Sequence, residues 1–271
     1  MRIPAHLLNM TILAGLLALA ACDSSDEGSG TLKVELWGED YIEDGIPSDE
    51  FVDGWAIDYD RFLVNLGQLT VAEASGAPVV EEPAFRVWDL SAFDGPRVLA
   101  EAAVPAGAYV HTAYSIAPAT AASVAGNATE SDVVRMKAGG LSVLVEGRAT
   151  KGDRTVSFSW GFTNATTYDP CHSGGKVEDG TTASIQITIH GDHLFYDDAA
   201  SEEPSLRFED LAAADANADG EVTAAELAAV ATLPLDHYGV GSLEIDDLWE
   251  YLSHMSTTVG HIDGEGHCEV R

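Results

Sequence analysis

Ala183-Ser-Ile-Gln-Ile-Thr-Ile-His190 decides the fold class. Ile185, Ile187 and Ile189 alternate with Gln186, Thr188 and His190. A period of two puts the isoleucines on one face of a β-strand and the polar side chains on the other. The same alternation occurs in Thr31-Leu-Lys-Val-Glu-Leu-Trp37 and Thr155-Val-Ser-Phe-Ser-Trp-Gly-Phe162. Trp55 to Gly67, Gln68 to Ala72, Phe85 to Leu90, Arg97 to Ala100, Tyr109 to Ile116 and Leu141 to Glu146 are further strand-like runs. Ala117 to Ser131 is rich in Ala, Thr and Asn and is expected to be a long loop. Many short strands without helical periodicity between them predict an antiparallel β-sandwich over residues 31–200. Trp37, Trp55, Trp88 and Trp160 lie in these strands, where core packing is their expected role.

The pattern changes after Ser201-Glu-Glu-Pro-Ser205. Leu206, Phe208, Leu211 and Ala212 have helical spacing, as have Leu248, Trp249, Leu252 and Met255. Residues 201–258 are therefore expected to form a small α module, and 259–271 a tail. Between the helices stands Asp215-Ala-Asn217-Ala-Asp219-Gly220-Glu221-Val222-Thr223-Ala-Ala-Glu226. Alternate oxygen-bearing residues can wrap a chain around a hard cation, with glycine at the sharp bend.

This twelve-residue stretch resembles the calcium loop of EF-hand proteins. The resemblance implies Ca²⁺ held by Asp215, Asn217, Asp219, the Glu221 carbonyl, Thr223 and Glu226, the last bidentate. It also implies a compact pair of helices and a short β-bridge from Val222 to a partner loop. Asp236 to Asp247 looks like that partner in decayed form. Gly241, Leu243 and Asp247 fall at positions 6, 8 and 12, but Tyr238 and Val240 replace ligands, so no second ion is expected.

The N-terminus resembles that of bacterial lipoproteins. Arg2 precedes an apolar run from Leu7 to Ala21, too short for a span. Leu19-Ala-Ala-Cys22 is similar to a lipobox, which implies lipidation at Cys22 after removal of residues 1–21. Residues 22–30 then form an acidic tether, and the protein is exported and anchored by lipid to a bacterial membrane, at the periplasmic or cell-surface side. With Cys22 lipidated, Cys171 and Cys268 remain, and a disulfide is the default in an oxidising compartment.

Acidic residues number 45 against 13 Lys and Arg, a formal charge of −32. That charge excludes nucleic acid and anionic membrane surfaces as partners and leaves the protein or glycan partner of the β-body unnamed. No nucleophile elbow or phosphate-binding glycine loop occurs, so an enzyme is not expected. The primary expectation is an exported calcium-binding lipoprotein with a structural ion. The alternative is a copper- or zinc-binding protein that uses His172, His190, His193 and His267. His190 and His193, if both on one strand, would face opposite ways unless Gly191 makes a bulge. His261, in Gly260-His-Ile-Asp-Gly264, is a further histidine near the C-terminal cysteine.

Overall fold

A computed structural model describes residues 28–230 and 232–271. Cys22, residues 1–21 and most of the expected tether lie outside the described residues. The chain is mainly β with small helices. The strands are β1 (Ser29–Trp37), β2 (Ala56–Ala72), β3 (Val80–Glu82), β4 (Arg86–Asp89), β5 (Arg97–Pro105), β6 (Gly107–Ile116) and β7 (Val124–Ala125), followed by β8 (Val143–Lys151), β9 (Arg154–Phe162), β10 (Thr166–Val177), β11 (Thr182–Ile189), β12 (Glu221–Val222), β13 (Gly260–Ile262) and β14 (Cys268–Val270). The helices are α1 (Glu39–Glu43), α2 (Glu130–Gly139), α3 (Glu209–Ala213), α4 (Ala224–Ala229) and α5 (Leu248–Met255).

One sheet has the order β13-β11-β1-β5. The other has the main path β12-β9-β8-β2-β6-β10-β14, with β3, β4 and β7 attached beside β2. Most pairings are antiparallel, as expected, but β1 runs parallel to β11, β12 to β9 and the short β7 to β4. The body is therefore mixed. The four-stranded sheet pairs the first strand of the body with the last in parallel, so a hairpin cannot join them. In β1, Leu32, Val34 and Leu36 are buried between half-buried neighbours, which is the expected alternation. Ile185, Ile187 and Ile189 of β11 are buried as well. Both sheets contribute to one core that also takes in Leu211, Leu227 and Leu252 from the C-terminal helices and Phe208 just before α3. Trp55 and Trp160 are fully buried in it, as core packing predicts.

Three elements differ from the sequence expectation. The two runs on either side of Gly67-Gln68 form one strand, β2, because Gln68 turns through a left-handed φ of 54° and the register against β6 shifts there. A single bulge residue lets the strand continue where the alternation breaks. The loop expected over 117–131 leads into α2. There Thr129 and Asp132 form a reciprocal capping box, and Gly140 closes the helix in the left-handed region. β10, with Pro170, Gly174 and Gly175, carries no strand pattern yet lies between β6 and β14.

The C-terminal part holds only small helices. α3 and α4 on either side of the Asp215 to Glu226 loop have five and six residues, in place of the expected EF-hand-like pair. Among the described residues, no helix is long and apolar enough to cross a membrane.

Candidate functional site

Two groups of chemistry-bearing residues stand out, the acidic loop before α4 and a knot of histidines at the end of β11.

In the loop, the Asp215 carboxylate accepts the Asp219 and Gly220 N–H groups at 3.2 and 3.0 Å. Asn217 Oδ1 accepts the Asp219 N–H at 2.8 Å, and Asp219 Oδ1 accepts that of Glu221 at 2.9 Å. These bonds wind the chain into a tight acidic turn. Gly220 makes the bend with φ of 83°. Thr223 caps α4 by accepting the Glu226 N–H, and the Glu226 carboxylate accepts both N–H and O–H of Thr223. Those bonds hold the Glu226 carboxyl below its ordinary value.

Among the described residues, the loop is not paired with another loop. Glu221 and Val222 pair with Ser157 and Phe158 of β9. The Ser157 N–H donates to Gly220 O at 2.8 Å, and the buried Trp160 indole donates to Val222 O at 2.8 Å. Thus the expected bridge from Val222 goes to the β-body. The decayed loop bonds elsewhere. Gly239 exchanges backbone bonds with Asp197 and Ala199, and Asp247 accepts the Glu250 N–H as N-cap of α5. With Tyr238 buried against Tyr251, this segment is occupied as packing for α5.

The histidine knot arises from strand pairing. β11 ends at Ile189, and a 3₁₀ turn over Asp192–Phe195 follows. The strand therefore stops before the two rings would diverge. His190 and His193 come together with ring centroids 5.1 Å apart. β13 pairs antiparallel with β11, with His261 opposite Thr188. The His261 ring is then 4.4 Å from His190 and 4.9 Å from His193. Gly260 lies against the stacked rings of Tyr114 and Tyr168, where a Cβ would come within 2.5 Å of Tyr168. The Tyr114 hydroxyl donates to His261 O at 3.0 Å, and Gly260 N–H donates to the Tyr168 hydroxyl. The backbone under His261 is thus held from both sides.

All three rings are under a tenth exposed. His193 Nδ1 is 3.1 Å from the Thr258 hydroxyl. His190 Nδ1 lies 3.5 Å from Glu39 and 4.0 Å from Asp192. His261 Nδ1 is buried with no hydrogen-bond partner. Burial first, then the nearby His261 and His190, push His193 down to about 2. Burial first, then His190 and His267, push His261 down to about 4. The carboxyls of Glu39 and Asp192 are raised by burial, against the pull of His190. In two overlapping groups, His190 with Asp192 and His193, and His190 with His261 and Glu265, the ligating atoms lie within 4.8 Å of one another. One side of the knot opens into a cleft of about 590 Å³ lined by His193, Tyr196, His261, Glu265 and His267.

Of the four histidines expected as ligands, the fold gathers His190 and His193 and places His267 at the rim, its ring 5.6 Å from His261. His172 is excluded. It is exposed on β10, in register with His111 of β6, although its neighbour Cys171 does form the expected disulfide with Cys268. His261 takes the place expected for His172. The signal that places it is the pairing of β13 with β11.

No protein-family model matches the chain, and the search for similar curated proteins and solved structures finds no match.

Proposed function

We propose that the chain is an exported lipoprotein, anchored through Cys22, whose β-sandwich body is a binding module and whose Asp215 to Glu226 loop holds one structural Ca²⁺ as an EF-hand site does. The observation that carries the calcium reading is the set of backbone N–H groups accepted by Asp215, Asn217 and Asp219. These contacts preorganise an oxygen-rich loop, and an oxygen-only donor set is what Ca²⁺ selects. The role is a clasp. Sensor sites need a helix pair that opens, whereas Val222 of this loop is strand-paired to β9. Calcium then fastens the C-terminal segment against the edge of the large sheet.

The test is thermal unfolding of the full mature chain in excess Ca²⁺ and in EDTA. The melting temperature is expected to fall in EDTA. Asp215→Ala and Glu226→Ala are expected to abolish the difference. Superimposable melting curves for the wild type would overturn the calcium reading.

A further inference from the structure

We infer that His190, His193 and His261, with Glu265 as the carboxylate ligand, form a site for one divalent transition-metal ion of the copper or zinc class, with a coordination position open to the adjoining cleft. This goes beyond the calcium clasp and uses none of its residues.

The geometry comes first. Three imidazoles, from just after β11, from the turn that follows and from β13, stand with their centroids 4.4 to 5.1 Å apart. His190, His261 and Glu265 alone already offer three ligand atoms within 4.8 Å of one another. His190 is shared with the second such group, which adds His193, and the His193 ring lies 4.9 Å from that of His261.

The second observation is an unmet bond. His261 Nδ1 is buried and unpartnered. Buried ring nitrogens in folded proteins have partners as a rule. A structural role would place a donor or acceptor there, as Thr258 stands at His193. Rings packed simply as apolar filling would not require the tight approach of Gly260 to the Tyr114–Tyr168 pair that holds His261 in place.

Charge is the third. Glu39, Asp192 and Glu265 surround the knot, and among the described residues no Lys or Arg lies within ion-pair distance of any of them. A dication in the centre balances these carboxylates. Glu39 and Asp192 stand beside His190, where they orient its ring as outer-shell carboxylates do in metal sites.

The donor set selects the ion. Imidazole nitrogen suits Cu²⁺ and Zn²⁺, whereas Ca²⁺ and Mg²⁺ take oxygen. Thiolate is absent because Cys268, at the edge of the cleft, is bonded to Cys171. The cleft on the open side admits water or a small ligand to the ion.

The test uses the full mature chain stripped with chelator, dialysed into excess Ca²⁺, and titrated with Cu²⁺ alone and Zn²⁺ alone, with elemental analysis of the loaded protein. One ion per chain is expected. His190→Asn and His261→Asn are expected to weaken binding by roughly 100-fold or more, beyond the loss seen for an outer-shell partner. His172→Asn, on the exposed β10 surface, and Asp215→Ala, in the calcium loop, are expected to leave it unchanged. The Cu²⁺ electron paramagnetic resonance spectrum of the wild type gives a reading that depends on no variant folding, with splitting from at least two imidazole nitrogens expected. The inference is overturned by a wild type that takes up neither ion, by His190→Asn and His261→Asn chains that bind as the wild type does, by loss of binding in His172→Asn, or by a spectrum with oxygen donors only. Because Asp215→Ala affects the calcium clasp alone, failure of one reading is separable from failure of the other.

Discussion

At the residue scale, Glu209 joins the C-terminal segment to the β-body. Its carboxylate accepts from Lys151 and Arg154 at 2.6 Å each and from the Trp55 indole at 3.1 Å. Lys151 and Arg154 also sit over the Trp55 ring. These partners hold its pKa at about 2, below the ordinary 4.5. A carboxylate depressed on folding contributes stability that is complete above about 4.5 and is lost as pH falls towards 2. The side chain is 38% exposed, so solvent screens the pairs and keeps the effect modest. Glu209→Gln is expected to be less stable than the wild type at pH 7, with the gap closing between pH 4.5 and 2. Urea midpoints at pH 7, 4 and 2.5 check this, and a gap independent of pH would show that the charge is not its source.

At the same scale, the histidine knot separates residue type from residue placement. His172 and His261 are the same side chain beside equally suggestive neighbours in the sequence. One points to solvent and the other into a buried group, because β10 alternates around Cys171 whereas β13 is covered on its inner side.

At the element scale, β12 is the joint of the molecule. It has two residues, yet Val222 is fully buried and its carbonyl takes the Trp160 indole N–H. A strand that short has too few ladder bonds to persist alone, so it is held by what lies beneath it. Trp160→Phe keeps an aromatic ring in the core but leaves the Val222 carbonyl without its partner. A loss of about 1–3 kcal/mol is expected, measured by denaturant unfolding. If the loop binds Ca²⁺ as a clasp, the same variant also binds it more weakly, because the docked form of the loop is less populated. Calcium affinity equal to the wild type's would separate the loop's chemistry from its docking.

β10 shows why an element can be hidden in a sequence. Its residues include Pro170, Gly174 and Gly175, which argue against a strand. It forms because β6 and β14 offer ladder bonds on both sides and the disulfide secures its outer neighbour. The start of α2, Thr129-Glu-Ser-Asp132, carries a capping-box spacing and the helix is closed by Gly140, yet it falls inside the loop expected over Ala117 to Ser131.

At the scale of the whole molecule, a disulfide fastens the C-terminal segment, and the proposed calcium clasp would add to it. The Cys171–Cys268 disulfide closes a separation of 97 residues. In the chain-entropy model that stabilises by about 4 to 5 kcal/mol. Reduction with dithiothreitol, followed by alkylation of both thiols and removal of the reagent, is expected to lower the melting temperature and to weaken binding of Cu²⁺ or Zn²⁺, since the β13–β14 segment carries His261 and Glu265. Metal binding unaffected by reduction would mean that the pairing of β13 with β11 suffices without the bridge. If the Asp215 to Glu226 loop binds Ca²⁺ as proposed, it is a second fastening. At about 10 mM Ca²⁺ and a dissociation constant of about 10⁻⁴ M, linkage predicts about 2.7 kcal/mol of added stability. Calorimetry across a calcium series measures this directly, and a melting temperature flat over that series would remove the clasp.

The sequence by itself determined what depends on near neighbours. Alternation in β1, β9 and β11 follows from burying one face of a strand, a property of each segment alone. The spacing of Asp215, Asn217, Asp219 and Gly220 is a property of twelve consecutive residues, and the Cys171–Cys268 pair is what remains of three cysteines once Cys22 is assigned to a lipobox. The tertiary structure alone decided where these pieces meet. It laid β1 parallel to β11, docked Val222 on β9, and set His261 against His190, 71 positions away, by pairing β13 with β11. Such pairings come from unfilled strand edges and a shared core, which are set by the whole chain and leave no periodicity within any one segment.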